Sequence, residues 1–286
     1  MTWKNKFNQL IQGFGSKGDE IPELVPNACL VPNYMLQIAC TTHTGKVRGH
    51  NEDNFSLNQI YLPTEHQSMK KAMFIEKRAL DFPTVAVFDG MGGEYGGEIA
   101  SYVSAKIFTE SEHVGAWMRA DIDDLIFRMN ESVCEATQEV KANQMGSTFV
   151  GLFFNEETVY FANLGDSPAY LYRDQYLEKM SLAHTNERFL QMQGITNRKP
   201  GLTQFLGVCE DGLVIEPHIV MKNMSENDVY LLCSDGLTDM VSEERICEIV
   251  KDNEDILNCV TRLQDEALDN GGRDNITIML CKVMKE

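Results

Sequence analysis

Four aspartates each stand at one end of an apolar run, beside a glycine or an asparagine, and that recurrence limits what this chain can fold into. Asp89 follows Val85-Ala86-Val87-Phe88 and opens Gly90-Met91-Gly92-Gly93. Asp235 follows Val229-Tyr230-Leu231-Leu232-Cys233-Ser234 and precedes Gly236. Asp53 lies in Asn51-Glu52-Asp53-Asn54-Phe55, and Asp274 in Gly271-Gly272-Arg273-Asp274-Asn275 ahead of Ile276-Thr277-Ile278. A carboxylate placed where a buried strand runs out is desolvated on one side, and several cannot gather unless cations neutralise them. The pattern predicts a hard-metal site of oxygen ligands, a chemistry of phosphoryl groups and activated water.

Each signal has a plainer reading when taken alone. Asp89-Gly90 reads equally as a glycine-rich turn capped by its aspartate, Ser234-Asp235 as a helix-capping pair, and Asp274 as a turn before the last strand. Their joint occurrence is what favours a metal site. Glu52 and Asp53 are adjacent on an extended segment and point opposite ways, so only one is a direct ligand on a given face. Arg48 adds a fixed cation with bidentate geometry for a phosphate dianion; the alternative is an exposed surface arginine.

Bulk properties bound the partners. With 43 acidic against 25 basic residues the net charge is −18, which argues against nucleic acid, because phosphate-backbone binding needs clustered Lys and Arg. Phosphoproteins remain open as substrates, since bound divalent cations reverse the local field. The eight cysteines show no Cys-x-x-Cys pair, and several sit in apolar runs as small hydrophobes. Neither structural zinc nor a disulfide framework is expected, which points to a reducing compartment. No apolar stretch reaches about 18 residues, so no membrane span is expected. The polar start from Met1 to Gly18 lacks the core of a signal peptide. The expectation is a cytoplasmic protein.

Residues 1–34 read as an N-terminal extension, with Trp3, Phe7, Leu10 and Ile11 on one face and glycines and prolines after them; it serves either as a docking arm or as a segment folded back on its own domain. From residue 35 to 286 one domain is expected. Strand-like runs cover Leu36–Thr42, Thr84–Phe88, Thr148–Phe154, Thr158–Asn163, Ala169–Tyr172, Val229–Ser234 and Ile276–Val283. Asn155-Glu156-Glu157 and Arg173-Asp174-Gln175 read as hairpin turns. Helical stripes are Ile99, Val103 and Ile107; Ile122 to Ala136, starting near Asp121 as N-cap; Ile246, Ile249 and Val250; and Ile256 to Ala267, stopping at Gly271-Gly272. Hairpins interrupted by two helices in the middle and two near the end predict an α+β fold of antiparallel sheets with helices outside. The polar stretch 183–212 is expected to be a mobile flap beside the site.

Several chemistries are missing. No cysteine has an arginine six positions on, so thiolate-phosphate chemistry is absent. There is no His-Glu-x-x-His and no phosphate loop, and no kinase catalytic loop.

Taken in order, Arg48-x-x-Asn51-Glu52-Asp53-x-Phe55, Val87-Phe88-Asp89-Gly90-Met91-Gly92-Gly93, Met145-Gly146-Ser147-Thr148, Ala162-Asn163-Leu164-Gly165-Asp166-Ser167, Ser234-Asp235-Gly236-Leu237-Thr238 and Gly271-Gly272-Arg273-Asp274-Asn275 resemble the successive motifs of the metal-dependent Ser/Thr protein phosphatases, the PPM or type 2C family, in its bacterial form. The resemblance spans about residues 36 to 284. It implies a β-sandwich of two antiparallel sheets flanked by helix pairs, with two Mn²⁺ or Mg²⁺ ions at one end. By position, Asp89 bridges the ions with the Gly90 carbonyl as a second contact, Asp235 and Asp274 complete one shell, and Glu52 and Asp53 hold the other ion directly or through water. Arg48 binds the substrate phosphate, and Asp166 is structural. Asp239 fills one position of the family's third-ion site, but Asn143 and Gln144 stand where its acid is expected, which weakens that site. The flap is shorter than in many bacterial members.

The activity so implied is hydrolysis of phosphoserine and phosphothreonine by a metal-activated bridging water, in a monomer opposed by a Ser/Thr kinase. Two other readings are a catalytically silent binding module on the same fold and a phosphomonoesterase acting on a small metabolite.

Overall fold

Along the strand Thr84–Phe88, Val85 and Val87 face one hydrophobic cluster while Ala86 and Phe88 face another. A strand buried on both faces needs a layer on each side, and this strand has a second sheet on one and helices on the other. The computed structural model describes residues 33–92, 96–142, 144–195, 197–209, 213–253 and 255–285; the N-terminal extension lies outside them, save its last two residues.

Strands β1 (Tyr34–His43), β2 (Asn54–Leu57), β3 (Met73–Arg78), β4 (Thr84–Phe88) and β5 (Gly90–Gly92) come first, then helices α1 (Gly97–Glu110) and α2 (Arg119–Glu139). Strands β6 (Met145–Ser147), β7 (Phe149–Phe154), β8 (Thr158–Leu164), β9 (Ala169–Arg173) and β10 (Tyr176–Lys179) follow, with a short helix α3 (Glu187–Met192) after them. The chain ends with β11 (His218–Asn223), β12 (Val229–Cys233), α4 (Asp235–Thr238), α5 (Glu243–Asp252), α6 (Ile256–Asp269) and β13 (Ile276–Lys285). One sheet runs β10-β9-β12-β13-β1-β3 and the other β11-β8-β7-β4-β2, with β5 and β6 as a separate ribbon. The pairings are antiparallel throughout. This is the α+β sandwich expected from the order of the strand and helix signals.

The core between the sheets holds Leu36, Ile38, Phe55, Val85, Val87, Phe161, Tyr230 and Met279. Outside one sheet, Ile122, Ile126, Met129 and Val133 of α2 pack on Phe88, Phe149 and Phe153. Outside the other, Ile246, Ile249, Val260 and Leu263 of α5 and α6 cover Ala39, Leu231, Ile278 and Leu280. Helix α6 stops where Gly271 and Gly272 take φ values of 128° and 51°, with the Gly272 amide donating to Ala267 O. The predicted turn at Asp174-Gln175 has both residues at positive φ, 52° and 68°, the primed turn that suits a two-residue hairpin.

Three expectations need correction. In α1 the fully buried face is Ala100, Ser101, Ser104, Ala105 and Phe108, and Ile99, Val103 and Ile107 are only partly buried beside it. Small residues let this helix lie close to its sheet, and Ser104 Oγ satisfies itself by donating to Ala100 O at 2.8 Å. Helix α2 is capped at Met118, whose amide donates to Asp121 Oδ2 at 2.9 Å; Asp121 is thus the third helical residue and not the cap. Finally, Cys134 and Cys209 form a disulfide across 75 residues, although the cysteine spacing gave no sign of one. Asn130 explains the meeting: its side chain accepts from the amides of Gly207 and Val208 and donates to Val208 O, drawing that loop onto α2.

Candidate active site

Register brings the acidic motifs to one end of the sandwich. Asn54 pairs with Phe88, so Asp53 and Asp89 flank the same rung of one sheet. In the other sheet Cys233 pairs with Ile278 and His43 with Ile276, which sets Asp235 and Asp274 at the matching end. Asn275 locks the two sides. Its Oδ1 accepts from the Glu52 amide at 2.8 Å, and its Nδ2 donates to Thr44 O and His50 O.

Asp89 is fixed through its backbone: its carbonyl accepts from the Thr148 amide, and its amide donates to Thr148 Oγ1 at 3.2 Å. Burial pushes its carboxyl well above the ordinary range, and the charges of Asp53, Asp235, Asp166 and Asp274 push the same way. Asp53 is buried as well, and burial raises it to about 7 although Ser234 Oγ and Thr277 Oγ1 each donate to its Oδ2 at 2.7 Å. Burial likewise raises Asp166 to about 6, with Asp235 nearby. Asp166 therefore lies within electrostatic reach of Asp89 and Asp235, a proximity not drawn from its Gly-Asp-Ser turn. Gly90 has no room for a side chain. A Cβ there would run into the carbonyl of Gly97 and come within 2.5 Å of the Glu52 carbonyl oxygen.

Glu52 points away from Asp53. Burial raises its carboxyl, opposed by His50, whose Nε2 lies 3.1 Å from Glu52 Oε1. His50, Glu52 and Glu98 are the one group of three among the described residues whose potential ligand atoms all lie within 4.8 Å of one another. The aspartates stand further apart, and two cationic side chains lie among them. Arg48 Nη2 donates to Asp274 Oδ2 at 2.8 Å, and this bond is the main reason the guanidinium holds its proton more tightly than usual. Lys199, from the stretch expected as a flap, donates to Asp235 Oδ2 at 2.8 Å and to Asp239 Oδ2 at 2.9 Å. Burial pulls its ammonium down, but the two carboxylates outweigh it and raise it overall. Burial raises Asp235 as well, against the pull of Lys199.

These oxygens suit hard divalent ions. Buried carboxyls that resist ionisation, crowded by one another and backed by a glycine carbonyl with no side chain over it, are the donor set that such ions neutralise. A model of the protein phosphatase 2C family matches residues 55–189 and 189–276. The chain belongs to the protein phosphatase 2C family. It is 30% identical over 257 residues to the serine/threonine phosphatase stp of Listeria monocytogenes, covering 84% of this chain and 92% of that relative. Among solved structures, the Mycobacterium tuberculosis serine/threonine phosphatase PstP/Ppp matches with a TM-score of 0.72 at 26% identity, over 87% of this chain and 99% of that one. The catalytic domain of PstP in complex with two manganese ions matches with a TM-score of 0.70, also at 26% identity, over 88% and 99%.

Lys199, His50 and Glu98 escaped the reading of this phosphatase 2C sequence. Nothing in the spacing ties Lys199 to Asp235, because their contact depends on how a weakly patterned loop returns to the site. Asn143 lies outside the described residues.

Proposed function

We propose that this chain is a metal-dependent protein serine/threonine phosphatase that hydrolyses phosphoserine and phosphothreonine. The observation that carries the reading is the set of buried, mutually repelling carboxyls of Asp53, Asp89 and Asp235 where both sheets end, in a chain of the phosphatase 2C family. Asp89, the Gly90 carbonyl, Asp235 and Asp274 would hold two Mn²⁺ or Mg²⁺ ions together with Glu52 and Asp53; the manganese pair in the PstP catalytic domain supports that number. Such ions, when bound, supply Lewis acidity and bring the pKa of water towards about 7.

The chain's own residues account for the rest. Ser234 and Thr277 hold Asp53 by one oxygen and leave the other free. Asn275 fixes the Glu52 backbone, so the segment carrying Arg48 and Glu52 cannot drift from Asp274. Arg48, half exposed and paired with Asp274, turns to the phosphate dianion of the substrate once the charge of Asp274 is neutralised. Its planar fork matches two phosphate oxygens. Asp239 belongs to a third, weaker cation position.

We further assign the protein to the cytoplasm, where the Cys134–Cys209 pair would be kept reduced, as a monomer in signalling, opposed by a Ser/Thr kinase and acting on phosphorylated proteins. Among the described residues no helix is long and apolar enough to cross a membrane, and the strong negative charge disfavours nucleic acid. The segment 183–212 acts as the flap of a domain that runs from 35 to 286.

The test compares turnover of phosphoserine and phosphothreonine peptides with that of nucleotides and sugar phosphates, in Mn²⁺ and after chelation. Peptide turnover that chelation abolishes is expected. Preference for the small metabolites would overturn the substrate class, and no turnover of any ester would leave a binding module.

A further inference from the structure

Asp235 and Asp239 are four residues apart across α4, and the Asp239 amide donates to Asp235 O at 2.7 Å, so their carboxylates lie on one side of that turn. Two like charges at this spacing repel each other and call for a cation. The cation present is Lys199, with one ammonium hydrogen bond to each. Its placement is built into the backbone. Asn186 and Gly201 exchange hydrogen bonds, the Asn186 amide to Gly201 O at 3.0 Å and the Gly201 amide to Asn186 Oδ1 at 2.9 Å. Beyond this clip, the Thr203 amide donates to His184 O, and the Gly165 amide donates to His184 Nδ1 at 3.1 Å. That chain of contacts ties the loop to the turn carrying Asp166. Pro200 restricts Lys199 to extended backbone, so the lysine is presented from a closed loop whose base is anchored beside the acids.

We propose that Lys199 is the third cation of this active centre: its ammonium occupies the Asp235–Asp239 pair that would otherwise take a further divalent ion, and in doing so docks the loop 185–203 on the site. The inference rests on the phosphatase reading, which makes Asp235 a ligand. Lys199 uses Oδ2 of both aspartates, which leaves Asp235 Oδ1 for a divalent ion. Being tethered, the ammonium is held at high effective concentration beside the two acids, so it outcompetes a free divalent ion for a pair that binds such an ion only weakly.

The experiment counts Mn²⁺ on the full chain, stripped with chelator and titrated while free Mn²⁺ is read by electron paramagnetic resonance. Wild type is expected to take up two equivalents, Lys199→Met one more, and Lys199→Arg the wild-type number. The double variant Lys199→Met with Asp239→Asn is expected to return to the wild-type number. Because 62% of the Lys199 side chain is exposed, the methionine variant keeps the fold. Metal-free samples are also cut with a glutamate-specific protease, and cleavage at Glu187 is expected to run roughly fivefold or more faster in Lys199→Met than in wild type. An unchanged Mn²⁺ count in Lys199→Met, or a third equivalent in wild type, overturns the proposal while leaving the two-ion phosphatase standing. A wild type that binds no Mn²⁺ removes both.

Discussion

Asp89-Gly90 and Asp235-Gly236 are nearly the same device in sequence, and they behave differently in the fold. Both aspartates follow a buried strand, and both glycines are required by packing: a Cβ on Gly90 would strike the Gly97 carbonyl, and one on Gly236 would strike the Asn275 carbonyl. The counter-charges differ. The charges that push Asp89 up are those of other acids, and their repulsion adds to its burial, whereas Asp235 has the Lys199 ammonium at 2.8 Å. One strand end is left for divalent ions to neutralise, and the other is already half neutralised by the protein. Identical local motifs therefore carry different electrostatic duties, decided by what a distant loop delivers.

Substituting the two aspartates separates these duties most sharply. Asp89→Asn is expected to lower kcat by about 10³-fold or more, because it removes a ligand worth several kcal/mol to the transition state. Its metal-free melting temperature should rise, since a repulsive buried charge disappears. Asp235→Asn is expected to lower kcat by roughly 10²-fold and to raise the metal-free melting temperature less than Asp89→Asn does, because Lys199 already offsets part of the repulsion at that end. Steady-state kinetics with phosphopeptide and calorimetric melting in chelator read both effects. If the two variants melt alike, the contrast between the strand ends is wrong.

Acidity gives the next largest effect. Burial pushes the Asp53 carboxyl up to about 7 in the fold, against about 3.9 in an unfolded chain. Between those values the folded state binds more protons than the unfolded one, so stability falls as pH rises. Asp89, Asp166 and Asp235 are raised too and act with the same sign. The metal-free protein should therefore melt at a lower temperature at pH 8 than at pH 5, and added Mn²⁺ should raise the melting temperature more at pH 8. A flat profile in chelator would contradict the repulsion argued for the Asp89 side.

Arg48→Ala should raise KM for phosphopeptide about tenfold with a smaller change in kcat, as expected for a group that holds the phosphate in ground and transition states alike. The smallest effect concerns Thr277→Val, which removes one of two hydroxyl donors to Asp53 and should cost about 1–2 kcal/mol of stability in the metal-loaded form, read by denaturant unfolding.

How much of this was legible before the fold was known depended on how local the cause was. Thr84–Phe88 and the strand runs around Val150, Phe161, Leu231 and Leu280 announced themselves, because burial on both faces demands unbroken apolar residues. Strands β2, β3 and β11 did not: Met73–Arg78 and His218–Asn223 carry lysines and alternate buried with exposed positions near the sheet edges, so their composition resembles loops. The acidic motifs were legible because a metal site repeats one residue type at strand ends. Lys199 and the Cys134–Cys209 bond were not, since each rests on a pairing across the chain, 36 residues in the first case and 75 in the second.

The Cys134–Cys209 bond also changes what kind of object the polypeptide is. Between its two sulfurs run β7 and β8 of one sheet and β9 and β10 of the other, so the oxidised chain is a hoop threaded through both halves of the sandwich with two free tails. Heat can melt that hoop without letting its strands diffuse apart, and the closed ring withholds on the order of 4 kcal/mol of disorder from the denatured ensemble. Reduced and oxidised molecules thus start each refolding from differently sized searches.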